Sequence, residues 1–130
     1  MAYLKVYEWE HATWPEFQTV HIDRRRQFIL IRKLARHFKV DEPLLGACKR
    51  RGANAKSNKT GAAGAYMMGP TNAAVIKLGN VTVLGTLVHE FAHHLDHRRW
   101  GGNGHRRTFK RELKRAYTFA KRYLVKPTTT

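Results

Sequence analysis

Three residues in the second half of the chain have the types and spacing of a metal-dependent hydrolase site. His89, Glu90 and His93 form an H-E-x-x-H pattern. On a helix, residues four apart lie on one face, so the imidazoles of His89 and His93 would converge on one cation. Two neutral nitrogen donors favour zinc over magnesium or calcium. Glu90 lies beside that face, where its carboxylate would take a proton from a zinc-bound water and pass it to a leaving amine.

A third nitrogen ligand follows closely in the sequence. A glycine-rich break at 101–104 ends the predicted helix, and His105 stands at the start of the next one. Two histidines from one helix and one from its neighbour would leave a fourth position open, which is typical of catalytic zinc and not of structural zinc. The alternative is a histidine-rich helix face that binds phosphate, which His94 and His97 make more credible.

The sequence is strongly basic, with 25 Lys and Arg against 9 Asp and Glu and a formal net charge of +16. This excess is more than solubility requires, and it indicates a polyanionic partner such as nucleic acid. After Pro43 the only acidic residues are Glu90, Asp96 and Glu112. The part of the chain after Pro43 is therefore the part that we expect to contact the polyanion.

Length and composition predict a single domain over 1–130, with 125–130 as a flexible tail. The only cysteine, Cys48, excludes an internal disulfide and fits a reducing compartment. The sequence predicts no secretion signal and no apolar run that could span a membrane. We therefore expect a cytoplasmic protein, associated with the nucleoid or with DNA and of cellular or viral origin.

Hydrophobic spacing predicts the elements that precede the motif. Residues 4–9 alternate apolar and charged side chains, which predicts a short strand. Asp23 is predicted to cap an amphipathic helix that ends near Val40. Residues 44–51 fit a strand or a short helix, and 52–64 predict an exposed basic loop. The predicted buried stripe of the amphipathic helix is Phe28, Ile31, Leu34, Ala35 and Phe38.

The motif itself is predicted to follow a pair of strands. Two extended segments, 65–68 and 73–78, lead into a helix over 82–100 that contains the H-E-x-x-H pattern. A last helix over 105–124 has one apolar and one basic face. The sequence therefore predicts an α+β domain with a small sheet of about three strands, an N-terminal helix, a ligand helix and a basic C-terminal helix.

The run VTVLGTLVHEFAHHLDH, followed by a Gly-His pair with a phenylalanine four residues after the histidine, resembles the SprT-like zinc metalloproteases and the compact minigluzincins. The resemblance covers roughly 61–113 and is strongest over 86–109. It implies a zincin-like α+β fold, one Zn²⁺ per chain and Glu90 as general base and acid. The zinc ligands that it implies are His89, His93 and His105. Several members of this family act on proteins bound to DNA. This chain has no separate zinc ribbon, so DNA contact is expected from the catalytic domain itself.

Two features of the site stay open in the sequence. Gluzincins take a glutamate further along the chain as third ligand, which makes Glu112 the alternative to His105. The competing role of Glu112 is an ion pair with Arg111 or Arg115. The donor that would stabilise an oxyanion is not identified, and three residues are candidates: Tyr66, Tyr117 and Arg106.

The sequence thus predicts a zinc metalloendopeptidase that hydrolyses extended polypeptide, with the substrate added as a strand along 73–78. We expect binding of nucleic acid, DNA above all, through sequence-independent backbone contacts. The residues predicted to make them are Lys49, Arg50, Arg51, Lys56, Lys59, Arg107, Lys110, Arg111, Lys114, Arg115, Lys121 and Arg122. The alternatives are a non-enzymatic basic DNA-binding protein stabilised by zinc and a zinc hydrolase of a non-peptide amide. A structural zinc would need no carboxylate at Glu90.

Overall fold

The computed structural model describes residues 2–47, 64–68, 73–101 and 104–124, and it has the mixed α+β architecture that the sequence predicts. The α-helices are α1 (Ala2–Thr13), α2 (Arg24–Phe38), α3 (Leu84–Trp100) and α4 (Arg107–Ala120). Short 3-10 helices follow α1 at Pro15–Gln18 and α4 at Lys121–Tyr123. Of the loop predicted over 52–64, residues 52–63 lie outside the described residues, as does the predicted tail at 125–130. Among the described helices none is both long and apolar enough to cross a membrane.

The strands form two small sheets in the described part of the chain. They are β1 (His21–Asp23), β2 (Leu44–Ala47), β3 (Gly64–Met68), β4 (Ala74–Leu78) and β5 (Val81–Val83). β1 and β5 pair antiparallel. The second sheet has the order β2-β4-β3, with β2 parallel and β3 antiparallel to β4. Because β4 is paired on both sides, the prediction that a substrate adds along 73–78 is wrong. The two outer strands of this sheet are β2 and β3.

The segment 4–9, predicted as a strand, belongs to helix α1. Among the side chains of α1 that the structure describes, the buried ones are Val6 and Glu10, which are one helical turn apart and are 1% and 3% exposed. A carboxylate at one of these two positions removes the apolar i, i+4 spacing that would have identified the helix. The alternation of apolar and charged residues therefore predicted the wrong element.

Helix α2 is confirmed, with its predicted cap. The carboxylate of Asp23 accepts a hydrogen bond from the backbone N–H of Arg26 at 3.0 Å. The helix ends at Lys39, which takes the left-handed conformation with φ of 58°. Leu30 is buried, whereas Phe28 of the predicted stripe is 45% exposed. The remaining stripe residues lie in the core as expected: Ile31, Leu34, Ala35 and Phe38.

Helices α3 and α4 pack against each other and supply most of the core. Leu95 and Leu113 are fully buried between the elements, together with Phe91 and Tyr117. α3 ends at Gly101, where φ of 67° requires a residue that tolerates the left-handed region. This stop, predicted from the glycine-rich break, returns the chain toward α3 and leads through His105 into α4.

Candidate metal centre

Three histidines from two parts of the chain converge at one place. His89 and His93 lie one turn apart on α3, and His105 comes from the segment that precedes α4. One ligand nitrogen from each lies within 4.8 Å of the other two. The Nε2 atoms of His89 and His105 are 3.2 Å apart. Two nitrogens at about 2.0–2.1 Å from a tetrahedral zinc are separated by about 3.3–3.4 Å, so this pair already has nearly the spacing that zinc requires.

The structure does not bring Glu112 to this cluster. Its buried carboxylate accepts a hydrogen bond from the indole N–H of Trp100 at 2.9 Å. It also lies 3.9 Å from the guanidinium of Arg115 and 4.0 Å from that of Arg99. Glu112 therefore connects the end of α3 to α4, and its pairing with Arg115 is the competing role that the sequence suggested.

Two aromatic rings, those of Phe109 and Tyr7, contact the three imidazoles. The ring of Phe109 stacks on His93 at 4.2 Å between centroids. It also lies 5.1 Å from His89 and 4.9 Å from His105, and it is fully buried. Tyr7 stacks on His89 at 5.0 Å between centroids and lies edge-on to His105 at 5.8 Å. The phenylalanine four residues after His105 thus contacts every member of the cluster.

Glu10, which the sequence analysis did not single out, orients His89. One carboxylate oxygen accepts a hydrogen bond from Nδ1 of His89 at 2.8 Å, and the other accepts one from the hydroxyl of Tyr117 at 2.7 Å. With its proton on Nδ1, His89 presents the lone pair of Nε2 to the cluster. A carboxylate behind a ligating histidine fixes the ring and makes it a better donor. Only recognition of α1 as a helix would have pointed to Glu10.

The surroundings favour neutral imidazoles at two of the three positions. Burial lowers the pKa of His93 to about 3, and positive charge on His89 and His105 acts in the same direction. Burial, followed by the charge of His89, also lowers the pKa of His105. Burial acts the same way on His89, but the hydrogen bond and charge of Glu10 outweigh it and raise the pKa of His89. A neutral imidazole is the form that binds a metal ion.

Glu90 lies beside the cluster and is 6% exposed. Burial raises the pKa of its carboxyl to about 7, while the charge of His89 opposes this rise and that of Glu10 adds to it. The first residue of β3 packs against it, since a Cβ at Gly64 would lie 3.2 Å from Cγ of Glu90. A carboxyl group with a pKa near neutrality is suited both to accept and to donate a proton.

The three candidate oxyanion donors lie in different surroundings. The hydroxyl of Tyr117 donates to Glu10, so Tyr117 has a structural role. Arg106 is exposed and precedes α4. The ring of Tyr66, on β3, lies parallel to that of His93 at 6.4 Å, and its hydroxyl is 3.0 Å from Nδ1 of the buried His94. Tyr66 is therefore the candidate donor whose ring lies next to the cluster, beside His93.

The predicted nucleic-acid-binding residues divide into two groups. Those on α4 and the following turn are all exposed: Arg107, Lys110, Arg111, Lys114, Arg115, Lys121 and Arg122. The remaining ones lie outside the described residues: Lys49, Arg50, Arg51, Lys56 and Lys59. The exposed face of α4 is therefore a continuous basic surface, opposite the face that carries Phe109 and Leu113 into the core.

Comparison of this chain with protein-family models, with curated proteins and with solved structures finds no match in any of the three.

Proposed function

We propose that this chain is a zinc-dependent endopeptidase. The observation that carries the proposal is the convergence of His89, His93 and His105 next to the buried carboxyl of Glu90. Three nitrogen donors, with no fourth protein ligand beside them among the described residues, fit one catalytic Zn²⁺. When bound there, zinc would act as a Lewis acid and lower the pKa of a water molecule to about 7.

The residues around the metal would carry out the proton transfers and hold the metal ligands in place. Glu90 takes a proton from the attacking water and delivers it to the nitrogen of the leaving amine, and its pKa of about 7 suits both transfers. Glu10 keeps His89 in the tautomer that leaves Nε2 available to the metal. Phe109 and Tyr7 hold the imidazole rings in place. A structural zinc site would gain nothing from the buried carboxyl of Glu90.

The outer edge of strand β3 lies beside this centre and is where an extended substrate would bind. β3 pairs only with β4 among the described strands, so its other edge is the one to which a polypeptide would add. Gly64 packs on Glu90, and Tyr66 lies against His93, so this strand borders the cluster directly. We therefore assign substrate binding to β3 in place of the segment 73–78.

The basic face of α4 supports action on or near nucleic acid. Lysine and arginine side chains that neutralise phosphates release condensed counterions, which gives sequence-independent binding. In this proposal DNA is the expected polymer, and DNA-associated proteins are the expected substrates. The nucleic acid holds the enzyme near its substrates and takes no part in the hydrolysis.

The test compares the wild type with Glu90→Gln, both loaded with zinc. Cleavage of a DNA-binding protein is followed with and without single-stranded DNA, and bound zinc is measured for each preparation. We expect Glu90→Gln to keep its zinc and to lose cleavage by about 100-fold or more, because general acid–base catalysis contributes about 10²–10⁴-fold. Equal inactivity of both proteins, despite bound zinc and DNA, would reject the peptidase in favour of a binding protein. Hydrolysis of small amides alone would reject the polypeptide substrate.

A further inference from the structure

A concave groove lies at the far end of α4 from the histidine cluster. Its volume is about 330 Å³, at the low end of the range of about 300–1,000 Å³ for small-ligand sites. α2 contributes its last two side chains, and α4 with the following turn contributes the rest. The charged and aromatic residues that line the groove are His37, Phe38, Lys114, Arg115, Phe119 and Arg122.

The groove has a strong excess of positive charge. Among the residues that the structure describes, no acidic side chain lines it. In the described part of the chain, no carboxylate lies within ion-pair distance of Lys114 or Arg122. Arg115 is 3.9 Å from Glu112, a buried carboxylate that also lies 4.0 Å from Arg99. Lys114 and Arg122 are therefore available to an external anion.

Planar groups line the same groove. The exposed imidazole of His37 stacks on Phe119 with 4.2 Å between centroids and 25° between planes. The guanidinium of Arg122 lies 4.4 Å above the ring of Phe119, and that of Arg115 lies 5.7 Å from the ring of Phe38. Cations held against aromatic rings, beside a ring that is open to solvent, suit a ligand that has both a flat base and a phosphate.

We propose that this groove binds one nucleotide of a single-stranded nucleic acid, with the phosphate between Lys114 and Arg122 and the base against His37. A groove of this size admits a base only when the base is unpaired and unstacked, which favours a single strand over a duplex. The inference rests on the proposed association with nucleic acid and not on the proposed peptidase activity. It adds a base contact to the backbone contacts that the sequence predicted.

The groove is separate from the metal centre. Phe109 contacts the histidines near the start of α4, and Phe119 lies in the groove near its end. At about 1.5 Å per helical residue, these two positions are about 15 Å apart along the axis. A strand held in the groove would therefore leave the histidine cluster and β3 accessible to a polypeptide.

The test measures binding of a fluorescent oligo(dT) and of a duplex of equal length across a series of salt concentrations. The variant Lys114→Ala/Arg122→Ala is compared with Arg25→Ala/Arg26→Ala, which removes two exposed charges from the start of α2. We expect the groove variant to bind the single strand at least about tenfold more weakly. The slope of the logarithm of the binding constant against the logarithm of the salt concentration should become shallower by about 0.7, because the two side chains hold one phosphate and each neutralised phosphate of a single strand contributes about 0.7. The control should lose less than about threefold, and duplex binding should be similar in both variants.

His37→Ala tests the base contact separately. It should weaken binding of oligo(dT) by about fivefold or more, the lower end of the contribution of base stacking, and leave binding of an abasic strand unchanged. Equal losses in the groove variant and the control would overturn the proposal, as would equal losses for single strand and duplex. Zinc content and hydrolysis of a peptide without nucleic acid are measured in parallel. A failed peptidase assay with intact groove-dependent binding would reject only the proposed enzyme.

Discussion

Replacement of Glu10 by glutamine tests whether the carboxylate behind His89 contributes to metal binding. Glu10 is 3% exposed, and both of its oxygens accept short hydrogen bonds, from Nδ1 of His89 and from the hydroxyl of Tyr117. Glutamine has nearly the same shape, but it has a single acceptor oxygen and no charge. The amide therefore cannot serve both donors as the carboxylate does.

The size of the effect follows from these two contacts. A hydrogen bond to a charged group contributes about 1.5–3 kcal/mol, against about 0.5–1.5 kcal/mol for a neutral one. If the amide oxygen of the introduced glutamine accepts the hydrogen bond from His89, this bond becomes weaker by about 1–1.5 kcal/mol, the difference between a charged and a neutral acceptor. This loss corresponds to roughly tenfold weaker zinc binding, since every 1.4 kcal/mol is a factor of ten. If the amide instead turns its NH₂ group toward His89, the imidazole loses its hydrogen-bond acceptor. Zinc binding should then weaken by up to about 100-fold, the upper end of the effect of replacing a residue that hydrogen-bonds to a metal ligand.

The assay is competition for zinc between the protein and a chromophoric chelator at constant pH. Glu8→Gln, an exposed carboxylate on the same helix, is the matched control and should bind zinc like the wild type. Thermal unfolding of the metal-free proteins shows whether Glu10→Gln keeps the fold. Zinc affinity within about twofold of the wild type, in a folded Glu10→Gln protein, would refute the assigned role of this carboxylate.

Three further predictions concern stability. Zinc at about 100 times its Kd should stabilise the fold by about 2.7 kcal/mol, measured as a rise in Tm that EDTA reverses; an unchanged Tm would contradict binding to the folded state. Gly64→Ala should lower the free energy of unfolding in urea by about 1–3 kcal/mol, because its Cβ would lie 2.9 Å from a methyl of Leu78 and 3.2 Å from Cγ of Glu90. The hydrogen bond from Arg98 lowers the pKa of Asp41, so this pair stabilises the fold above pH of about 4 and loses its effect as the pH falls through the lowered pKa. Asp41→Asn, at a half-exposed site, should therefore cost at most about 1 kcal/mol at pH 7, with a difference that shrinks toward pH 2; a difference that grows with acidity would show the opposite linkage.

The parts of the site that could be predicted from the sequence are those set by local periodicity. His89 and His93 converge because a helix places residues four apart on one face, and the apolar spacing around them identified that helix. His105 could be named because the glycine break before it is a reliable helix stop. Phe109 could be assigned from the sequence to the motif and to the apolar face of the last helix. Its contact with all three imidazoles is a matter of packing.

The parts that could not be predicted depend on contacts between distant segments. Glu10 was hidden because the buried partner that compensates its charge is far away in the sequence. The order β2-β4-β3 is likewise not contained in the pattern of 73–78, which fits an inner and an outer strand equally well. The groove at His37 needed α2 and α4 to be placed side by side before its charges and rings could be seen together.

The bonds that Glu10 makes also determine when the centre is assembled as the protein folds. The contact with His89 spans 79 residues and the contact with Tyr117 spans 107. Contacts of such long range form late, because the entropy of closing the intervening chain must first be offset. A chain emerging from the ribosome holds the ligand helix before it has α4, and at that stage its third histidine has no packing partner in Phe109. In the proposed enzyme, metal binding would therefore be coupled to the completion of folding, because the contacts of Glu10 and Phe109 join α1 and α4 to the histidines of α3.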